Sequence, residues 1–156
     1  MKSLIVCVSV SNGNTRRVAN RIAEVLDADV VEPEEVDVEA LRGYDLVGFG
    51  SGIYFMAVHP RLWKLVRQLP RGEGTRAFTF FTSGARELPF LGYSRLIRHR
   101  LASKGFDVLD SFSCRGLDTV GPLRLVGGVN KGRPNSSDLE RAAVFATRLR
   151  ERVAAS

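Results

Sequence analysis

The sequence predicts an α/β fold: a doubly wound parallel sheet with helices on both faces. Two observations carry that expectation. Five short apolar runs alternate along the chain with segments whose apolar residues recur at helical spacing. The central run, "YDLVGFGSG" at 44–52, is apolar on consecutive positions, as in a strand covered on both sides. Strand–helix alternation of this kind implies right-handed βαβ crossovers and hence parallel pairing.

The elements follow in order. Ser3–Val8 is a strand by its length and its Val/Ile content. In Thr15–Leu26, Val18, Ile22 and Leu26 recur every four residues with Ala19 and Ala23 beside them, which predicts an amphipathic helix. Asp29–Glu32 reads as a second strand. The acidic stretch after it leaves room for one helical turn around Val38–Leu41. The third strand follows at 44–52. Pro60 suits the first turn of a helix whose apolar face is Leu62, Leu65, Val66 and Leu69, with Pro70 and Gly72 ending it. Arg76–Phe81 is the fourth strand. Tyr93–Ser103 is a helix carrying Leu96, Ile97 and Leu101, stopped by Lys104-Gly105. Phe106–Cys114 is the fifth strand. The last helix is expected to open near Ser137 as N-cap, with Glu140 completing a capping box, and carries Leu139, Ala142, Ala143, Ala146 and Leu149. One segment breaks the rhythm: 115–135 holds five glycines and two prolines, and a loop of that length is often functional.

The 156 residues are one domain's worth, so residues 1–156 are expected to form a single domain. Hydrophobic residues make up 44% and charged residues 26%, the balance of a soluble globular chain. No apolar stretch approaches the roughly 20 residues that span a bilayer. The opening "MKSLIVCVSV" reads as a strand rather than a signal peptide, and the cytoplasm is the expected location. Cys7 and Cys114 lie in apolar strand-like runs and are expected as reduced thiols. With His59 and His99 the only histidines and no CxxC, no protein-built metal site is expected. The net charge of +6 favours acidic or anionic partners. It comes without a recognition motif or interleaved aromatics, so nucleic acid is not the expected partner.

Between the first strand and the first helix stands "SVSNGNT", residues 9–15. Five of its seven side chains carry a hydroxyl or an amide and none is charged. In a doubly wound sheet this turn lies at the carboxyl edge, where ligands bind. Backbone N–H groups and the helix dipole there form an anion site. Ser9, Ser11, Asn12, Asn14 and Thr15 add side-chain hydrogen bonds, and Gly13 lets the backbone come close. A single N-cap, Asn12 or Asn14, would account for one or two polar residues but not five. The GxxxxGK[ST] loop is excluded by the missing lysine, and GxGxxG by the single glycine. A phosphate dianion is the expected ligand.

"SVSNGNT" resembles the FMN-phosphate loop of the flavodoxins, S/T-x-T-G-N-T. "YDLVGFGSGIYF" is similar to that family's third strand and ring-flanking loop, and "FTFFTSG" to its fourth strand and the start of the loop on the other side. The resemblance spans nearly the whole chain. It implies a five-stranded sheet of order 2-1-3-4-5 binding FMN non-covalently. Ser9, Ser11, Asn12, Gly13, Asn14 and Thr15 would contact the phosphate. Ser51, Gly52, Ile53 and Tyr54 would line one flavin edge, with Tyr54 placed to stack on the ring. Thr82, Ser83, Gly84 and Ala85 would border the pyrimidine end. Leu88, Phe90 and Tyr93 all remain open for the second ring-covering position.

Three features depart from the family's electron carriers. Phe55 stands where glycine is common, and a bulky residue pays for positive φ. The loop after the fourth strand has Arg86 beside Glu87 rather than an acidic cluster, and the chain is basic instead of strongly acidic. Arg115 and Asp118 either shape a pocket over the flavin or dock a partner, or they form a pair that, with glycine turns, folds the long loop back on the domain. The function classes implied are a redox protein passing electrons to a partner protein, or an FMN-dependent oxidoreductase acting on a small substrate of quinone or tetrapyrrole-precursor type; the basic charge points to a redox partner protein or a small anionic substrate as the partner. A cofactor-free protein that keeps the fold is the third.

Overall fold

The computed structural model describes residues 1–10, 13–54, 56–84, 92–116 and 131–156. In chain order the elements are β1 (Ser3–Val8), α1 (Asn14–Leu26), β2 (Asp29–Val31), two 3₁₀ turns (Pro33–Glu35 and Ala40–Gly43), β3 (Leu46–Tyr54), β4 (Ala57–Val58), α2 (Pro60–Gln68), β5 (Arg76–Ser83), α3 (Tyr93–Ser103), β6 (Asp107–Arg115) and α4 (Ser136–Ala154). Five strands lie side by side in the order β2-β1-β3-β5-β6, every neighbouring pair parallel. Numbered among themselves, these are 2-1-3-4-5, as expected. A sixth strand, β4, pairs antiparallel with the end of β3. Two residues are too few to show a periodicity, so sequence patterning passes over it.

The sheet is covered on both faces because side chains alternate along each strand. Val47 and Phe49 of β3 meet Leu62, Leu65 and Val66 of α2 and Ile97 and Leu101 of α3 on one side. Ile5 and Cys7 of β1 and Phe78 and Phe80 of β5 meet Val18 and Ile22 of α1 and Phe145 and Leu149 of α4 on the other. On that second face β3 presents Gly48 and Gly50. A β-carbon at Gly48 would lie 2.4 Å from Cζ of Phe78, and one at Gly50 would lie 2.0 Å from Cζ of Phe80. The two rings of β5 thus occupy the space that side chains on β3 would fill.

Two boundaries differ from the sequence reading in ways that matter for the site. First, β3 runs to Tyr54, β5 to Ser83 and β6 to Arg115. The ladder pairs Ser51 with Phe81, Gly52 with Thr82, and Ser83 with Arg115. Polar and glycine residues at these strand ends look like loop, yet their backbone groups continue the sheet. Second, α4 is capped by Asn135 and Asp138, not by Ser137 and Glu140. The Asn135 side chain accepts from the Asp138 N–H, and the Asp138 carboxylate accepts from the Asn135 N–H, each at 2.9 Å. Arg133 decides the register by donating from Nη2 to Asp138 at 2.6 Å. Burial pushes the Asp138 carboxyl up, but the Arg133 and Asn135 hydrogen bonds outweigh it and hold the group below the usual range.

Cys7 and Cys114 are buried free thiols. Burial pushes both up to about 12. No helix among the described residues is long and apolar enough to cross a membrane.

Candidate functional site

The chain leaves β1 for β2 on one side and returns to β3 on the other, so the strand order reverses between β1 and β3. The carboxyl edge at that point is where open α/β sheets hold ligands. The register brings Val8 beside Ser51, Gly52 beside Thr82, and Thr82 beside Cys114. Three predicted segments from distant parts of the sequence therefore converge on one edge.

The first segment leads into α1. Gly13 is the N-cap residue, in the left-handed conformation at φ 69°, and a β-carbon there would meet nothing within 4 Å. Glycine is the residue that adopts this conformation freely. Asn14, one of the two residues that plain capping would use, is the first helical residue; Asn12, the other, lies outside the described residues, as does Ser11. Instead the Ser9 hydroxyl reaches over seven residues and accepts from the Arg16 N–H at 3.1 Å. The Asn14 side chain lies against Gly116, where a β-carbon would come within 2.7 Å of its amide nitrogen. Thr15 is buried, and its hydroxyl is 2.7 Å from that of Thr82 on β5. That hydrogen bond ties the first segment to the third.

The second segment is held by the β3–β4 hairpin. Ser51 is fully buried; its hydroxyl donates to the Gly52 carbonyl and accepts from the His59 N–H at 3.0 Å. Ile53 faces the core under α2 and α3 and pairs with Val58. The half-buried Tyr54 ring folds back over Gly52, its hydroxyl oxygen 2.9 Å from where a β-carbon would stand, and meets the His59 ring edge-on at 5.5 Å. Phe55 lies outside the described residues. Its neighbour Met56 has a positive φ, 63°. His59 caps α2 by accepting the Arg61 N–H on Nδ1 at 3.1 Å. Burial, aided by the Arg61 charge, holds the imidazole below its usual value.

In the third segment Thr82 and Ser83 are buried and Gly84 is half-buried. The Ser83 carbonyl accepts from the Gly116 N–H at 3.1 Å, which fastens the end of β6 to the end of β5. Half-buried Arg115 stands beside Ser83 in the register. Ala85, Arg86, Glu87, Leu88, Phe90 and Asp118 lie outside the described residues. Tyr93, one of three residues left open for covering the ring, is buried at the start of α3 and packs edge-on against Phe81 at 5.4 Å.

Sequence reasoning passed over three residues. Arg16 lines a groove of about 450 Å³ with Ser9, Gly13, Val30, Glu32 and Glu35. Among the described residues its one ion pair, with Glu32, is long at 3.9 Å. Glu32 already has Arg61 at 2.8 Å, so the cation beside the loop is only loosely engaged. His59 and Gly116 hold the second and third segments in place. The signal for Arg16 was its position in the first helical turn, directly after the polar loop; His59 and Gly116 act through contacts that only the fold creates.

A family model described as a flavodoxin domain matches residues 5–87, more than half of the chain. An uncharacterized protein of Methanocaldococcus jannaschii is 39% identical over 148 residues, covering 94% of this chain and 96% of that one. The chain belongs to the flavodoxin family. Solved structures agree on the fold. Oxidised flavodoxin 2 of Bacillus cereus superposes with a TM-score of 0.72 at 21% identity, over 97% of this chain and 99% of its own. A flavodoxin from the domain Archaea gives 0.71 at 18%, over 98% and 99%. The flavodoxin, WrbA-like protein of Agrobacterium tumefaciens gives 0.73 at 14%, over 98% of both chains.

Proposed function

We propose that residues 1–156 form one FMN-binding redox domain that holds the flavin non-covalently and passes its electrons to a partner. The observation that carries this reading is the convergence of three neutral, hydrogen-bonding segments at the β1/β3 edge, joined by the Thr15–Thr82 contact. The donor set fits a phosphate. The space at Gly13 is open, the start of α1 faces it, and Arg16 stands loosely engaged beside it. In this reading Ser9, Ser11, Asn12, Gly13, Asn14 and Thr15 bind the phosphate. The backbone of Ser51, Gly52 and Ile53 borders one flavin edge, because the Ser51 hydroxyl is committed to the hairpin and Ile53 to the core. Tyr54 contributes its ring, and Thr82, Ser83, Gly84 and Ala85 lie at the opposite end. Bound FMN supplies the redox chemistry, while the chain supplies binding, orientation and electrostatics.

A second reading, reduction of a small anionic substrate, is favoured by Arg115, a cation at the same edge beside Ser83. One experiment addresses both. The protein is equilibrated with FMN, desalted, reduced by dithionite under nitrogen and mixed with an oxidised redox protein or a quinone. The proposal expects flavin to stay with the chain and the redox protein to reoxidise it. Faster reoxidation by the quinone supports the second reading, and loss of all flavin on desalting overturns both.

A further inference from the structure

We infer that the α2–α3 face is a docking surface for an acidic protein partner. The net charge of +6 is not evenly distributed. Residues 60–107 contain ten of the 23 Lys and Arg but three of the 17 Asp and Glu; the other 108 residues, with thirteen cations and fourteen anions, are close to neutral. Six of those ten cations, Arg61, Lys64, Arg67, Arg95, Arg98 and Arg100, lie on α2 and α3, and the two helices share one face of the sheet. Neither helix contains an acidic residue.

The cations of α3 are also unengaged. Several arginines elsewhere meet carboxylates: Arg21 with Glu24, Arg42 with Glu39 and Glu73, Arg61 with Glu32 and Glu34, Arg133 with Asp138. Among the described residues Arg95, Arg98 and Arg100 have no such partner, and all three are exposed. Arg95, Arg98 and His99 line a groove of about 640 Å³ whose floor is Phe106 and Val108, with Asp107 the one acid in its wall. Leu96 stands beside them at 63% exposure, the most exposed large apolar side chain among the described residues. The surface is firmly built: Lys104 donates to the carbonyls of Arg67 at 2.9 Å and Leu69 at 2.7 Å, joining the end of α3 to the end of α2.

A row of free cations around an apolar floor matches a protein segment that offers carboxylates with an apolar side chain among them. Single-stranded nucleic acid would want exposed aromatics for stacking. The aromatic residue of α3, Tyr93, is 3% exposed. An anionic membrane would want a broad apolar face, and α3 has already buried Ile97 and Leu101 in the core. The inference adds a partner surface to the redox reading but is tested without flavin, so either can fail alone.

The test uses a synthetic acidic peptide of Glu, Asp and Leu, with a single-stranded DNA oligomer and phosphatidylserine vesicles as comparators. Amide chemical shifts map the contact and give the Kd. Peptide-induced shifts are expected at α3 and the start of β6. Arg95→Glu with Arg98→Glu should weaken the peptide at least about tenfold, since charge reversal acts where the charges meet. The matched pair Arg148→Glu with Arg150→Glu on α4 should change it by less than about threefold, the effect of net charge alone. Equal losses in the two pairs, shifts spread over every helix, or tighter binding of the DNA or the vesicles at α3 would overturn the inference.

Discussion

His59 shows how one side chain at the site serves several ends. Its backbone N–H holds Ser51, its ring packs against Tyr54, and its Nδ1 caps α2. The cap requires an unprotonated Nδ1. Burial and Arg61 lower the folded-state value below the ordinary 6.5, so the unfolded chain takes up the proton first. The stability this provides is complete above the unfolded value and is lost as pH falls through the folded one. Urea midpoints measured from pH about 8 down to about 5 should therefore decline. His59→Asn, which keeps a capping acceptor without the titration, should flatten the decline in that window. Asp138 is lowered from an ordinary 3.8, so its own loss falls at more acidic pH. The sequence marks Thr15 as a polar residue at the start of α1, but not its partner. Its bond to Thr82 spans 67 residues, and only the sheet register brings the two together.

At the scale of elements, β3 is constrained by its neighbour β5. Its glycines at 48 and 50 make room for Phe78 and Phe80, and a ring fixed in a packed core has nowhere to retreat. Gly50→Ala should cost at least about 1–3 kcal/mol by overpacking. The same exchange at Gly43, where a β-carbon would meet nothing within 4 Å, should cost little, and urea unfolding of the two variants compares them directly. Helical periodicity made α1, α2 and α3 readable nearly to the residue, because each buries one stripe. Strand ends were less readable: Thr82 and Ser83 have loop-like side chains, while the ladder that includes them is a property of the backbone. The α4 cap was misread by two positions because Asn135-x-x-Asp138 and Ser137-x-x-Glu140 satisfy the same pattern, and the Arg133 pairing that separates them is tertiary.

For the molecule as a whole, the net charge was legible from composition, but its concentration on one face required knowing which helices share a side of the sheet. The fold was legible, and so was the place of the candidate segment, because a polar segment between a first strand and a first helix has one location in a doubly wound sheet. The central claim is that this segment, with α1 behind it, is a phosphate site. It is tested most directly by titrating the protein with FMN and with riboflavin, following the quenching of flavin fluorescence. Hydrogen bonds to a charged group contribute about 1.5–3 kcal/mol each. Two such bonds to the phosphate alone should make FMN bind at least about a hundredfold more tightly. Equal affinities for the two flavins would contradict the account.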